Sequence, residues 1–268
     1  MTKTIEESQK LCLSDSGEME RLLEIMRRLR DPETGCPWDI EQSYASIAPY
    51  TIEEAYEVED AIAREDYEAL EGELGDHLLQ SVFHADIGRS LGHFSFETIV
   101  KSICDKMVAR HPHVFGDESG DKTAEQQTRD WEKMKAAERG SARTLDGVAG
   151  NLPSLTRAVK LQKRAARVGF DWPSTDEVLD KIVEEADELR DASKDEQFEE
   201  FGDLLFVVAN LARHLKIDPE EALRVANRKF TRRFERIEDL LEAQGKSPSQ
   251  SDLEEMDALW DQVKAEGL

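Results

Sequence analysis

Glu73-Leu74-Gly75-Asp76 runs straight into Leu78, Leu79, Val82 and Ala85, and the same word returns as Glu200-Phe201-Gly202-Asp203 ahead of Leu205, Phe206, Ala209 and Ala212. Outward from these two points the neighbours recur in the same order. Upstream lie Glu53-Glu54-Ala55-Tyr56-Glu57 and Glu184-Glu185-Ala186-Asp187-Glu188. Downstream lie Lys106-Met107-Val108-Ala109-Arg110 and Lys229-Phe230-Thr231-Arg232-Arg233. Each half has an early tryptophan, Trp38 or Trp172, and a late one, Trp131 or Trp260, set in similar words. Ordered recurrence of this kind marks an internal duplication. The expected organisation is a polar N-terminal tail over 1–18, one domain over 19–139, a linker over 140–153 and a second domain over 154–268. Gly140, Gly147, Gly150 and Pro153 interrupt any helix near the linker.

The fold class expected is all-α. Long stretches are rich in Glu, Ala, Leu, Lys and Arg, and the 268 residues include only 15 glycines and 8 prolines, which favours helices over strands. Leu22, Leu23, Met26 and Leu29 fall at three- and four-residue steps, predicting a helix over 19–29. Thr51 with Glu54 three residues on reads as a capping box, predicting a helix that begins near Ile52. Further helices are expected over 68–88 and over 96–110, the latter stopped by His111-Pro112. The second half repeats the order over 175–192, 195–215 and 219–243, with Pro219 in a first turn behind Asp218. Cys36-Pro37-Trp38-Asp39 reads as a tight loop with a packed aromatic. No apolar–polar alternation is long enough to predict a strand.

Charge narrows the partners. The formal net charge is −24, a surface that repels nucleic-acid backbones and anionic lipid heads, so nucleic acid is not expected as a main partner. A small anion remains compatible, because a divalent cation and a few local bases reverse the sign inside one pocket. Three widely spaced cysteines, Cys12, Cys36 and Cys104, form no CxxC and argue for a reducing compartment. No apolar stretch approaches the roughly 20 residues of a membrane span, and residues 1–10 hold no apolar signal region. A cytoplasmic protein is expected.

The acids carry the chemistry. Glu54 and Glu57 share a helix face, as do Glu73 and Asp76 on the next helix. Two such helices side by side bring four carboxylates together, and their mutual repulsion needs a counter-charge. Magnesium is a hard, oxygen-seeking ion that supplies it, with manganese able to substitute. Glu185, Glu188, Glu200 and Asp203 repeat the set. A solvated acidic face is the common fate of glutamate pairs in so acidic a chain. Two features speak against it: the set occurs twice, and Glu200 and Asp203 lie among Phe201, Leu204, Val207 and Leu211, which puts them on the core side of their helix. A di-iron bundle would need Glu-x-x-His, and none of His77, His84, His93, His111, His113 or His214 stands three residues after a glutamate.

Bases stand in register with these acids. Lys229 and Arg233 share one helix face and suit a phosphate chain, and Lys106 and Arg110 repeat their spacing. Lys181 sits one turn before Glu185. Trp131 and Trp260 would stack on a base or, more commonly for tryptophan, fill a core gap.

With these residues quoted, the chain resembles the MazG nucleoside triphosphate pyrophosphohydrolases. The words that carry the likeness are Glu-Glu-x-x-Glu followed by Glu-x-x-Asp. That family belongs to the all-α superfamily that includes dimeric dUTPases and phosphoribosyl-ATP pyrophosphohydrolase. The likeness runs from about Met19 to Lys264. The segments Arg30-Asp31-Pro32-Glu33-Thr34-Gly35-Cys36-Pro37-Trp38-Asp39 and Arg110-His111-Pro112-His113-Val114-Phe115 are similar to the tandem-domain bacterial type. The resemblance implies hydrolysis of an NTP or dNTP between its α- and β-phosphates, dependence on magnesium, and a homodimer whose helices pack into larger bundles. It implies metal ligation by Glu185, Glu188, Glu200 and Asp203, with Glu54, Glu57, Glu73 and Asp76 as counterparts. It implies substrate contacts from Lys181, Lys229, Arg233 and Trp260.

A non-ligating carboxylate, Glu184 or Glu53, is the expected general base. Two positions depart from the pattern. Glu196 stands where some relatives carry a lysine, and Tyr50 stands where the first half would match Lys181. The second half is therefore expected to be the more active. Two alternatives are a dUTPase-like hydrolase restricted to one base and a non-catalytic helical regulator that binds metal or nucleotide.

Overall fold

The computed structural model describes residues 3–116 and 143–268, with Thr123, Gln126, Gln127, Asp130, Trp131 and Met134 between them. The chain divides into two compact units, Met1–Glu138 and Arg139–Leu268. The domain boundary expected at 139–140 lies outside the described residues. Among the described residues there are helices and no strand, and none of those helices is long and apolar enough to cross a membrane.

The first unit is built on a helical hairpin. α4 (Tyr44–Ala63) and α5 (Tyr67–Ser90) are the most extensively packed pair. The three residues between them turn sharply, with Glu65 in the left-handed region at φ 56°. Asp66 caps α5 by accepting from the Ala69 amide. α1 (Ile5–Cys12) packs on α2 (Met19–Leu29), and α2 packs on α5. α3 (Pro37–Glu41), α6 (Phe96–Arg110) and α7 (Pro112–Phe115) complete the set. Met26, Ile47, Val82, Phe83 and Ile87 form the buried core where α2, α4 and α5 meet.

The second unit repeats the plan with a thinner interior. α9 (Thr175–Asp191) and α10 (Gln197–His214) make its hairpin, α8 (Ser154–Ala166) lies on α10, and α11 (Pro219–Glu242) packs on α12 (Leu253–Ala265). Its buried apolar residues fall in two separate patches. Ala158, Val159 and Ala209 form one, and Ile237, Leu241, Leu259 and Val263 the other.

The helices over 19–29 and 96–110 and the Asp218–Pro219 start agree with the sequence expectation. Two expectations need correction. α4 begins at Tyr44, not near Ile52: Ser43 caps it reciprocally with Ser46. The Thr51 hydroxyl instead donates to the Ile47 carbonyl within the helix and lies 3.0 Å from His84 Nε2. Pro49 inside the helix leaves the Ala45 carbonyl without its helical N–H partner, and the packing of α4 on α5 outweighs that loss. The segment 36–39 is not a bare loop but enters α3, with Pro37 in its first turn, and Trp38 is 51% exposed. Finally, α1, α8 and α12 are helices for which no periodicity was invoked.

Candidate active site

In each unit the hairpin brings its two acidic words face to face. On α4, Glu54 and Glu57 lie one turn apart, and Glu73 comes from α5; an oxygen of each lies within 4.8 Å of the others. Asp76 lies outside this group of three, but its charge acts on Glu54 and raises its pKa. In the second unit Glu185 on α9 meets Glu200 and Asp203 on α10 within the same distance. Glu188, the fourth expected acid, lies outside this group but acts on Glu200 by its charge. Opposed oxygens around an octahedral magnesium are about 4.2 Å apart, twice its roughly 2.1 Å bond. The oxygens of each group lie within 4.8 Å of one another, a limit that admits both opposed and adjacent ligands, and the donors are all carboxylate oxygen, so the residues fit a hard dication.

The electrostatics carry the mark of crowded acids. Desolvation first, then the charges of Asp76, Glu57 and Glu73, hold the Glu54 carboxyl above its ordinary 4.5. In the second unit desolvation, then Glu188, Asp203 and Glu185, push Glu200 upward. The units differ in what answers the charge. Lys181 Nζ lies 2.8 Å from Glu184 and 2.9 Å from the buried Glu185, and both acids hold the lysine's pKa well above its usual value. In the first unit Gln80, buried on α5, donates Nε2 to Glu54 at 3.3 Å. Tyr50 stands edge-on to Trp38 with ring centroids 6.1 Å apart.

The core-side placement expected for Glu200 and Asp203 holds only in part. Glu200 is half-buried, but Asp203 is exposed, because its apolar neighbours Phe201 and Phe206 are themselves 52% and 40% exposed. The apolar pattern marks a surface face of the single chain there.

The pair expected to bind phosphate is not ion-paired to the acids in this structure. Among the described residues neither Lys229 nor Arg233 forms an ion pair with them. Arg233 donates Nε to the Leu268 carbonyl at 2.7 Å and lays its guanidinium 5.4 Å from the Trp260 ring. Trp260 also tilts against Phe230 at 5.5 Å and borders the Leu259–Val263 patch. Lys229 is exposed. The first unit has a related arrangement: the Trp131 indole N–H donates to the Arg110 carbonyl at 3.0 Å, and Lys106 lines a shallow hollow with Phe94 and Ile103. Glu53 and Glu184, the two candidate bases, are exposed, and Glu184 is held by Lys181.

Sequence reasoning missed two features. Gln80 carries no local signal, since only the fold brings it to Glu54. The other is an ion pair behind each hairpin, between the residue ten positions past the motif aspartate and the loop after the unit's first long helix. In the first unit Arg30 Nε lies 3.0 Å from Asp86, both nearly buried; in the second Arg213 pairs with Asp171, with the charges exchanged.

Comparison with known proteins gives the same picture. Residues 42–115 match the MazG nucleotide pyrophosphohydrolase domain, and residues 152–230 match the phosphoribosyl-ATP pyrophosphohydrolase model. A nucleoside triphosphate pyrophosphohydrolase of Escherichia coli (strain K12) is 50% identical over 261 residues, covering 94% of this chain and 99% of that protein. A Thermotoga maritima protein, nucleoside triphosphate pyrophosphohydrolase/pyrophosphatase MazG, is 42% identical over 248 residues, covering 91% and 95%. The uncharacterized protein YabN of Bacillus subtilis (strain 168) is 43% identical over 258 residues, which span 92% of this chain and 52% of that one. The duplicated hairpins with facing acids, and the Escherichia coli and Thermotoga maritima relatives matched along nearly their whole length, lead to one statement: the chain belongs to the MazG family of nucleoside triphosphate pyrophosphohydrolases.

Proposed function

We propose that this chain hydrolyses nucleoside triphosphates between the α- and β-phosphates, releasing the monophosphate and pyrophosphate, with Mg2+ held by Glu185, Glu188, Glu200 and Asp203. The observation that carries the proposal is the convergence of acids from two neighbouring helices into one oxygen-only group. When bound, the ion supplies Lewis-acid stabilisation of charge on the phosphate oxygens. Lys181 holds Glu185 in place and offsets part of the cluster's charge. Lys229 and Arg233 grip the triphosphate, which requires Arg233 to exchange the Leu268 carbonyl for phosphate oxygen, and Trp260 stacks on the base. Glu184 removes the proton of the attacking water. Glu54, Glu57, Glu73 and Asp76, with Lys106, Arg110 and Glu53, form the counterpart site of the first unit.

The active form is a cytoplasmic homodimer. Phe201, Leu205 and Val208 share one face of α10 and are 52%, 41% and 39% exposed, an apolar row that a second copy would cover. Sedimentation should give twice the chain mass, and Phe201→Glu should halve it.

Incubating the protein with Mg2+ and a panel of NTPs and dNTPs, then identifying the products, tests the chemistry. Monophosphate plus pyrophosphate, lost on chelation, is the expected result. Diphosphate plus phosphate overturns the cleavage position, turnover of a single base supports the dUTPase-like reading, and no turnover with bound nucleotide supports a regulator.

A further inference from the structure

Each unit has a cavity where its first packed helix, the end of its motif helix and the start of the following helix meet. In the first unit it measures about 300 Å³. Its charges are mutually satisfied: Lys3 pairs with Glu20, Arg27 with Glu24, and Arg89 with Asp86. α1 packs beside it, with the fully buried Ser8 accepting from Arg27 at 3.2 Å.

The matching cavity of the second unit measures about 390 Å³ and is lined by Lys160, Lys163, Arg213 and Lys216 together with Asp218. Lys160 and Lys163 take the place of Glu24 and Arg27, each pair three residues apart on the helix that packs against the motif helix. Among the described residues the three lysines form no ion pair. Arg213 is anchored by Asp171 and Asn210, yet its Nε is buried without a partner. Asp218, the one carboxylate in this lining, forms no ion pair with these cations and accepts the backbone N–H groups of Glu220 and Glu221 with Oδ1. Lys216 follows the end of α10 at φ 59°, a left-handed position that Gly92 fills after α5, so a lysine is kept where glycine is the easier residue.

Three lysines without ion-pair partners among the described residues and an Arg213 paired through Nη2 with Asp171, around one small cavity, run against a chain whose net charge is −24. Their mutual repulsion is relieved by an anion with several charged oxygens close together. The volume is at the small-molecule scale. We propose that this cavity binds a compact anion bearing two or more linked phosphates, held by Lys160, Lys163, Lys216 and Arg213. The assignment is independent of the hydrolytic site: it uses none of its residues and needs no metal ion.

Calorimetric titration of the full chain in excess chelator tests it, because without a dication the carboxylate groups repel phosphate. Inorganic pyrophosphate and ATP form the two arms, separating free from nucleotide-borne phosphate. Both are expected to bind, with affinity falling steeply as salt rises. The double variant Lys160→Glu/Lys163→Glu alters two exposed side chains and should weaken binding at least about tenfold, the loss of two charged hydrogen bonds. Arg64→Glu/Lys101→Glu makes the same change of net charge in the first unit and should bind as the parent does. Absence of pyrophosphate binding, binding of ATP alone, or equal weakening in both double variants would overturn the proposal.

Discussion

The two units hold the same four acids and answer their charge differently. In the second, Lys181 reaches Glu185 and Glu184 from one turn away. In the first, Tyr50 occupies the matching position and the neutral Gln80 amide is the partner of Glu54. A lysine beside a metal-binding carboxylate keeps it oriented and lowers the repulsion an arriving triphosphate meets. An amide fixes the geometry without the charge. The two copies share their acids and differ in the groups that support them.

The sharpest way to break this comparison is to remove one acid from each unit of the intact chain. Glu185→Ala or Asp203→Ala should lower kcat/KM by roughly 10³-fold or more, the several kcal/mol that a metal ion contributes. Glu54→Ala or Asp76→Ala should cost about tenfold or less. Steady-state assays with circular dichroism to confirm folding decide it, and a larger loss from the first-unit variants would invert the assignment.

The charge-exchanged pairs behind the hairpins give the next effect. Asp86→Ala leaves Arg30 uncompensated where the side chains are only 8% and 9% exposed, so about 3–5 kcal/mol of stability should be lost. Asp171 is 26% exposed, and Asp171→Ala should cost about 1 kcal/mol. Urea unfolding measures both. Equal losses would mean that burial does not separate the two pairs.

How much of this was legible depends on the range of the cause. The hairpins and acidic faces were readable because three-residue spacing fixes a helix face locally, as at Glu185 and Glu188. The start of α4 differs from the expectation because Thr51-x-x-Glu54 carries the usual capping-box word, whereas the true cap, Ser43, pairs with Ser46 and lacks a Glu or Gln at that place. The meeting of Glu54 with Gln80, and of Arg30 with Asp86, rests on contacts between residues distant in sequence. The exposure of Asp203 escaped the sequence for a further reason: an apolar stripe looks the same whether it faces the chain's own core or a second copy.

Lys181→Met sharpens the comparison at intermediate size. It removes the second unit's distinguishing cation and leaves all eight acids. kcat/KM should fall about tenfold, a loss of one charged hydrogen bond, mostly as a higher KM for metal and nucleotide. A variant indistinguishable from the parent would show that the lysine is only a surface partner of Glu184.

The smallest effect concerns which acid bears the strain when metal is absent. In the first unit it is Glu54, on the first motif; in the second it is Glu200, on the second motif, with Lys181 standing at Glu185. Both carboxyls lie above their ordinary 4.5, so the fold favours their protonated forms. The stability tied to them is complete below the unfolded value and is lost as pH rises through the raised folded value. In metal-free protein, Glu54→Gln or Glu200→Gln should therefore match the parent near pH 4 and exceed it at about pH 6, by a shift in Tm of about 1–2 °C. Added Mg2+ should reverse the advantage, because the parent then gains a bound ion that the amide holds poorly. A variant whose advantage shrinks as pH rises would mean that the acids are not crowded in solution, and the shared charge on which both sites depend would be absent.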